Sequence, residues 1–120
     1  MNQYQEKLKK LIDEYVHLVY RITRNFPKGE LYGVVSQFRR AAMSVVLNYI
    51  EGFARFRDAV KKNFLETAYG SFKESLYLLD FSLEEKYVSV EDHQTGKRLA
   101  DEIGAMLWAE LDHLQQKVKS

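Results

Sequence analysis

Apolar residues recur at intervals of three and four along almost the whole chain, a period that lays one stripe along a helix and excludes strand alternation. Across residues 3–25 the stripe is Leu8, Leu11, Ile12, Tyr15, Val16, Val19 and Ile22. Across 30–55 it broadens to Leu31, Val34, Val35, Phe38, Ala41, Ala42, Val45, Val46, Tyr49, Ile50 and Phe53. Residues 58–86 carry Phe64, Leu65, Ala68, Phe72, Leu76, Leu79 and Leu83, and residues 90–117 carry Leu99, Ile103, Met106, Leu107, Leu111 and Leu114.

The breaks between these stripes read as helix ends. Phe26-Pro27-Lys28-Gly29 stops the first, because a residue before proline is pushed out of the α region. Gly52 is a weak point or stop near the end of the second. Asp58 is placed to cap the third, and Ser89-Val90-Glu91-Asp92 resembles a capped start with acids complementing the helix dipole. Gly70-Ser71 in mid-helix predicts close approach of a neighbouring helix, since glycine there costs about 1 kcal/mol against alanine. Four helices joined by connectors of a few residues pack best as an antiparallel up-down-up-down bundle, an all-α single domain over residues 1–120.

Composition agrees and removes several chemistries. One proline and six glycines in 120 residues suit long helices, and the absence of cysteine excludes disulfides, thiolate metal sites and a cysteine nucleophile. The start, MNQYQEKLKK, has no basic-then-apolar pattern, and no segment reaches the roughly 18 apolar residues of a membrane helix. A cytoplasmic protein that engages no membrane is expected. Charge divides unevenly: residues 1–62 hold 12 Lys/Arg against 6 Asp/Glu, net +6, while residues 63–120 hold 6 against 11, net −5. Either the first half faces a polyanion, or the halves attract each other within a bundle or between subunits.

The middle two helices carry more apolar residues than one buried stripe needs. Tyr32, Met43, Leu47, Ala54 and Phe56 on the second, and Tyr69, Tyr77, Leu78 and Phe81 on the third, lie outside it. Contact with another copy of the chain accounts for the excess better than an unusually apolar surface.

Arg39-Arg40 is the foremost candidate for phosphate contact, because guanidinium groups fork onto phosphates and stay charged. Arg21, Arg24, Arg55, Arg57, Lys61 and Lys62 join them if the end of helix one and the second corner share a rim. The competing reading is a structural ion pair to Glu51 or Glu74. Asn48 and Glu51, amid apolar residues, read as a polar pair fixing geometry rather than as acid and base.

No cofactor is expected. Glu14-Tyr15-Val16-His17 and Glu110-Leu111-Asp112-His113 repeat the Glu-x-x-His pattern of di-metal bundles. At about 100° per residue, however, Glu14 and His17 face away from the first stripe while Glu110 falls near the Ile103 face, so the two pairs cannot converge. His93 reads as a solvated residue near the start of helix four. Gly29 and Gly33 lack the following Lys-Ser/Thr of a phosphate loop, and no catalytic triad has a strand-to-helix elbow to sit on.

Several motifs together identify a family. Phe26-Pro27-Lys28-Gly29-Glu30-Leu31-Tyr32-Gly33, Ser36-Gln37-Phe38-Arg39-Arg40-Ala41-Ala42, and Ser44-Val45 with Asn48, Glu51 and Gly52 resemble the 23S rRNA intervening-sequence proteins of bacteria. Phe64-Leu65, Ala68, Gly70-Ser71 and Glu74 resemble the next block of that family. The family's usual Ser-Ile-Pro-Ser-Asn-Ile-Ala-Glu-Gly is replaced here by Ser44-Val45-Val46-Leu47-Asn48-Tyr49-Ile50-Glu51-Gly52, and loss of the proline predicts a straighter second helix. The resemblance implies a four-helix protomer, a ring-like homopentamer and no known enzymatic activity. Distant similarity to accessory proteins of diversity-generating retroelements adds an implied contact with nucleic acid and a polymerase. The expectation is therefore a non-enzymatic homo-oligomeric scaffold, presenting a basic rim to RNA or DNA. The alternative is a protein-interaction adaptor whose acidic half meets its partner, with a metal-dependent enzyme a remote third.

Overall fold

The computed structural model describes all 120 residues. It contains α1 (Gln3–Thr23), α2 (Ser36–Phe53), α3 (Asp58–Glu84) and α4 (Val90–Lys119), with no strand. Each helix packs on its neighbours in order, α1 on α2, α2 on α3, α3 on α4 and α4 back on α1, which makes an antiparallel four-helix bundle 49 × 25 × 20 Å in extent. The buried residues Leu8, Ile12, Val19, Phe38, Val45, Leu65, Phe72, Leu79, Ile103 and Leu107 are the centres of the four predicted stripes. No helix is long and apolar enough to cross a membrane.

Two ends of the bundle can be distinguished. At the upper end, where α1 and α3 finish, Arg21 pairs with Asp92 at 3.4 Å and Phe26 stacks on Tyr87 at 5.4 Å. At the lower end, the Tyr4 hydroxyl donates to the Met106 carbonyl at 2.7 Å. Two further contacts cross the bundle diagonally. The Tyr15 hydroxyl lies 2.9 Å from Ser75 Oγ, joining α1 to α3, and the Tyr49 hydroxyl donates to the Glu110 carboxylate, joining α2 to α4.

Helix two starts later than its apolar pattern indicates. A 3-10 turn at Lys28–Glu30 leads into a wider π turn at Leu31–Val35, where Gly33 (φ −108°, ψ −109°) leaves helical geometry, and α-helix begins only at Ser36. Glu30 is held by the Tyr87 hydroxyl at 2.9 Å, so the corner is tied to the opposite corner instead of continuing the helix. From Ser36 to Phe53 the helix runs uninterrupted through the segment where the family's proline is missing.

Other local expectations need correction. Asp58 is the first residue of α3, not its cap: the cap is Arg57, in extended conformation, with no side-chain bond. Ser89 does cap α4, its hydroxyl accepting from the Asp92 amide at 3.1 Å. A side chain added at Gly70 would meet nothing within 4 Å, whereas Gly52, like Gly96 and Gly104 of α4, sits at a close approach, buried against Leu65 and Phe64 of α3.

Candidate functional site

The predicted basic rim is split. Helices of 18 to 27 residues separate the bundle's ends by several turns, so Arg21 and Arg24, at the end of α1, lie far from Arg55, Arg57, Lys61 and Lys62 at the α2–α3 corner. The chain turns back at each corner, and antiparallel topology therefore puts successive corners at opposite ends. Three of the eight proposed cations are also occupied. Arg21 is paired with Asp92, Arg55 with Glu51, and Lys62 with Glu66 at 2.7 Å.

Arg39 is a structural residue. Its Nε donates to Thr23 Oγ1 at 2.8 Å, a terminal nitrogen reaches the Tyr20 carbonyl at 3.4 Å, and the guanidinium lies 4.8 Å from the centre of the Tyr20 ring. It therefore ties α2 to α1 and pairs with neither Glu51 nor Glu74, leaving little of its fork for phosphate. Arg40, about 100° further round, is exposed beside Glu74 on the rim of the α2–α3 groove, without an ion pair. Arg24, Arg57 and Lys61 are likewise free of ion pairs, and Lys61 sits 5.9 Å from the Phe53 ring. The cations that remain available thus divide between the ends: Arg24 and Arg40 lie toward the upper end with the exposed Lys28 and Lys86, and Arg57 and Lys61 lie at the lower end, where α4 adds the exposed Lys117 and Lys119.

Asn48 and Glu51 do not act as a pair. Asn48 Nδ2 donates at 2.9 Å to both the carbonyl and the hydroxyl of Ser44, whose Oγ meets Ser71 Oγ at 2.8 Å across the α2–α3 seam. Glu51 is exposed and pairs with Arg55 in the corner that follows its helix, because it points about 60° outward of Asn48.

The apolar excess divides into two groups. Leu78 is buried, and Met43 and Tyr69 pack partly against the core, so these three belong substantially to the protomer. Phe81 is half-buried, its ring 6.2 Å from that of Tyr77. Tyr32 (92% exposed), Leu47 (56%), Phe56 (100%) and Tyr77 remain in solvent. Ile50 joins them, although it counted as part of the inner band: it lies about 120° round the helix from Phe38, and that angle was the available signal. Met43, Leu47, Ile50 and Ala54, spaced four, three and four, form a second stripe on the side of α2 opposite Phe38, Val45 and Tyr49. Trp108 was missed altogether. It is 59% exposed on α4, off the Leu107–Leu111 line, and its ring centre is 5.8 Å from that of Tyr69.

Several titratable residues tie helices to one another. Burial raises the Glu110 carboxyl, against the opposing effect of hydrogen bonds from Tyr49 and from Gln5 at 3.3 Å. Burial, then the bond to Glu110, pushes the Tyr49 phenol up. Glu14 and His17 are exposed on α1, and no group of three or more His, Asp or Glu residues is placed to hold a metal ion. His93 is not solvated: its Nε2 lies 2.8 Å from Asp80 Oδ1, and Lys97 reaches the same carboxylate at 3.4 Å. Burial of Asp80 would raise its pKa, but His93 and Lys97 together hold it below the ordinary carboxylate value.

Fold and surface together define a four-helix bundle protein that carries exposed aromatics and aliphatics. The chain belongs to the 23S rRNA-intervening sequence protein family, whose model matches residues 5–109. Among solved structures it is similar to a protein of unknown function from the S23 ribosomal protein family of Bacteroides thetaiotaomicron VPI-5482. The TM-score is 0.82 at 18% identity, over 92% of this chain and 99% of that one. No curated protein matches.

Proposed function

We propose that this chain is a non-enzymatic homo-oligomeric scaffold, and that the assembly offers the lower end of its protomers to RNA or DNA. The observation that carries the first part is the outward line of Leu47, Ile50 and Ala54, which half-buried Met43 continues, with Tyr77 exposed on neighbouring α3. Apolar residues spaced four and three on a solvent face are what a helix presents to another helix. Five copies is the number that the family resemblance sets for testing.

Support for the second part is the grouping of Arg57, Lys61, Lys117 and Lys119 without carboxylate partners at one end. Phosphate contacts of this kind are independent of base sequence, and their affinity falls steeply with salt.

Molar mass in solution, with the ratio of absorbances at 260 and 280 nm and runs with and without added single-stranded RNA, tests both parts together. A multiple of the protomer mass, with RNA retained at low salt and released at high salt, is the expected outcome. A monomer at micromolar concentration defeats the scaffold reading, and an assembly that never retains RNA or DNA defeats the nucleic-acid reading alone.

A further inference from the structure

We propose that neighbouring copies are joined by a knob and a slot: Phe56 of one protomer seats in the groove between α3 and α4 of the next, against Tyr69 and Trp108. This deepens the oligomeric reading above and rests on it.

The knob is built by the lower corner. α2 ends at Phe53, α3 begins at Asp58, and Arg57 between them is extended (φ −90°, ψ 134°), so the connection is too short to fold Phe56 back onto the bundle. Its side chain is completely exposed. The base beneath it is firm, because Gly52 lets α2 approach Leu65 and Phe64 of α3 closely. A ring held out on a rigid base loses little conformational freedom on docking, and an aromatic side chain buries about 150–250 Å² when fully covered.

The slot is a groove of about 300 Å³ whose apolar lining is Tyr69, Trp108 and Leu111. The two rings are tilted at 50° to each other, and the indole remains more than half exposed. A third ring entering there meets faces and edges at favourable angles.

Charge selects the occupant. Phe56 is flanked in sequence by Arg55 and Arg57, while Lys62, Glu66 and Asp112 line the groove, Glu66 being neutralised by Lys62 at 2.7 Å. Arg57 and Asp112 have no ion-pair partner within the protomer. The unpaired Asp112 at the slot repels a phosphate backbone and attracts the unpaired Arg57 of another copy's corner, which argues for a second copy over a nucleic acid. Knob and slot are different patches of one protomer, so successive copies joined this way run head-to-tail. Such contacts build a ring when the rotation between copies closes.

Trp108 is the chain's single tryptophan, so its fluorescence reports on the slot directly. In the assembled protein its emission is expected to be blue-shifted and shielded from acrylamide, moving to the red as dilution releases monomers. Phe56→Ala should raise the dissociation constant of the assembly by about thirtyfold or more, as for a central aromatic anchor, and leave the protomer's helical signal unchanged. Arg57→Asp and Asp112→Arg should each weaken assembly by about tenfold, and the two combined should recover most of that loss. An assembly that keeps its mass in Phe56→Ala, with Trp108 solvent-exposed throughout, overturns the knob and slot while leaving the scaffold standing. Loss of RNA retention in Phe56→Ala at unchanged mass also overturns it, assigning the ring to nucleic acid. Wild-type protein that stays monomeric removes the scaffold reading itself, and this contact with it.

Discussion

A methyl group added at Gly52 would arrive 2.6 Å from Leu65 Cδ1, 3.3 Å from Phe64 Cβ and 3.4 Å from the Lys61 carbonyl oxygen. Leu65 is fully buried and has no free space to turn into, so Gly52→Ala is expected to destabilise the protein by about 1–3 kcal/mol. Gly70, mid-helix and open, should respond in the opposite sense: Gly70→Ala is expected to stabilise the protomer by about 0.5–1 kcal/mol. Denaturant melts of the two variants check both signs. Glu110 supplies a pH test. Its carboxyl is raised in the folded state, so the stability linked to its neutral form is full below the unfolded pKa and is lost as pH rises through the folded one. Glu110→Gln removes that titration, and the variant should gain on wild type as melts are moved from pH 4 to pH 7. A constant difference across that range would contradict the assignment. None of these three roles was fully legible beforehand: one-dimensional spacing put Glu110 on the inner side but did not reveal its partner Tyr49, and it placed the close approach at Gly70 instead of Gly52.

The helices themselves were plain in the sequence, because a stripe of large side chains overrides small errors at its ends. What spacing missed were the ends. The start of α2 is delayed by the Tyr87–Glu30 bond, a contact 57 residues apart in the chain. The finish of α3 depends on one dihedral angle. Lys86 has φ 63°, with its amide bonded to the Leu83 carbonyl and that of Tyr87 to the Ser82 carbonyl, the pair of bonds that closes a helix through a left-handed residue. A lysine there carries a steric cost that glycine escapes. Lys86→Gly should therefore raise stability by about 0.5–1 kcal/mol, read from the midpoint of chemical denaturation, even though glycine elsewhere in α3 lowers it. No pattern in residues 84–88 announces this, since the position reads as an ordinary charged residue between two others.

At the scale of the molecule, the bundle followed from counting, whereas Ile50 was counted inward and completes the outward stripe only in the structure, and the basic rim did not survive the up-and-down path of the chain. Arg21 and Lys62 both lie in the basic half of the sequence, yet antiparallel packing sends them to opposite poles. The outward stripe can be tested without disturbing the core. Leu47→Lys and Ile50→Lys replace exposed side chains, so each should change protomer stability by no more than about 0.5 kcal/mol. If the stripe meets another copy, the double variant should be smaller in solution than wild type at the same concentration, by sedimentation velocity. Unchanged sedimentation would move the assembly surface elsewhere.

The two diagonal ties, Tyr15 to Ser75 and Tyr49 to Glu110, act as depth gauges. Sliding any one helix along its axis by a turn, about 5.4 Å, would leave a phenol facing hydrocarbon, although the greasy stripes alone would tolerate the slip. Because register is set inside the bundle, the corners need only be long enough to reach, and evolution is free to lengthen or decorate them without altering how the helices mesh.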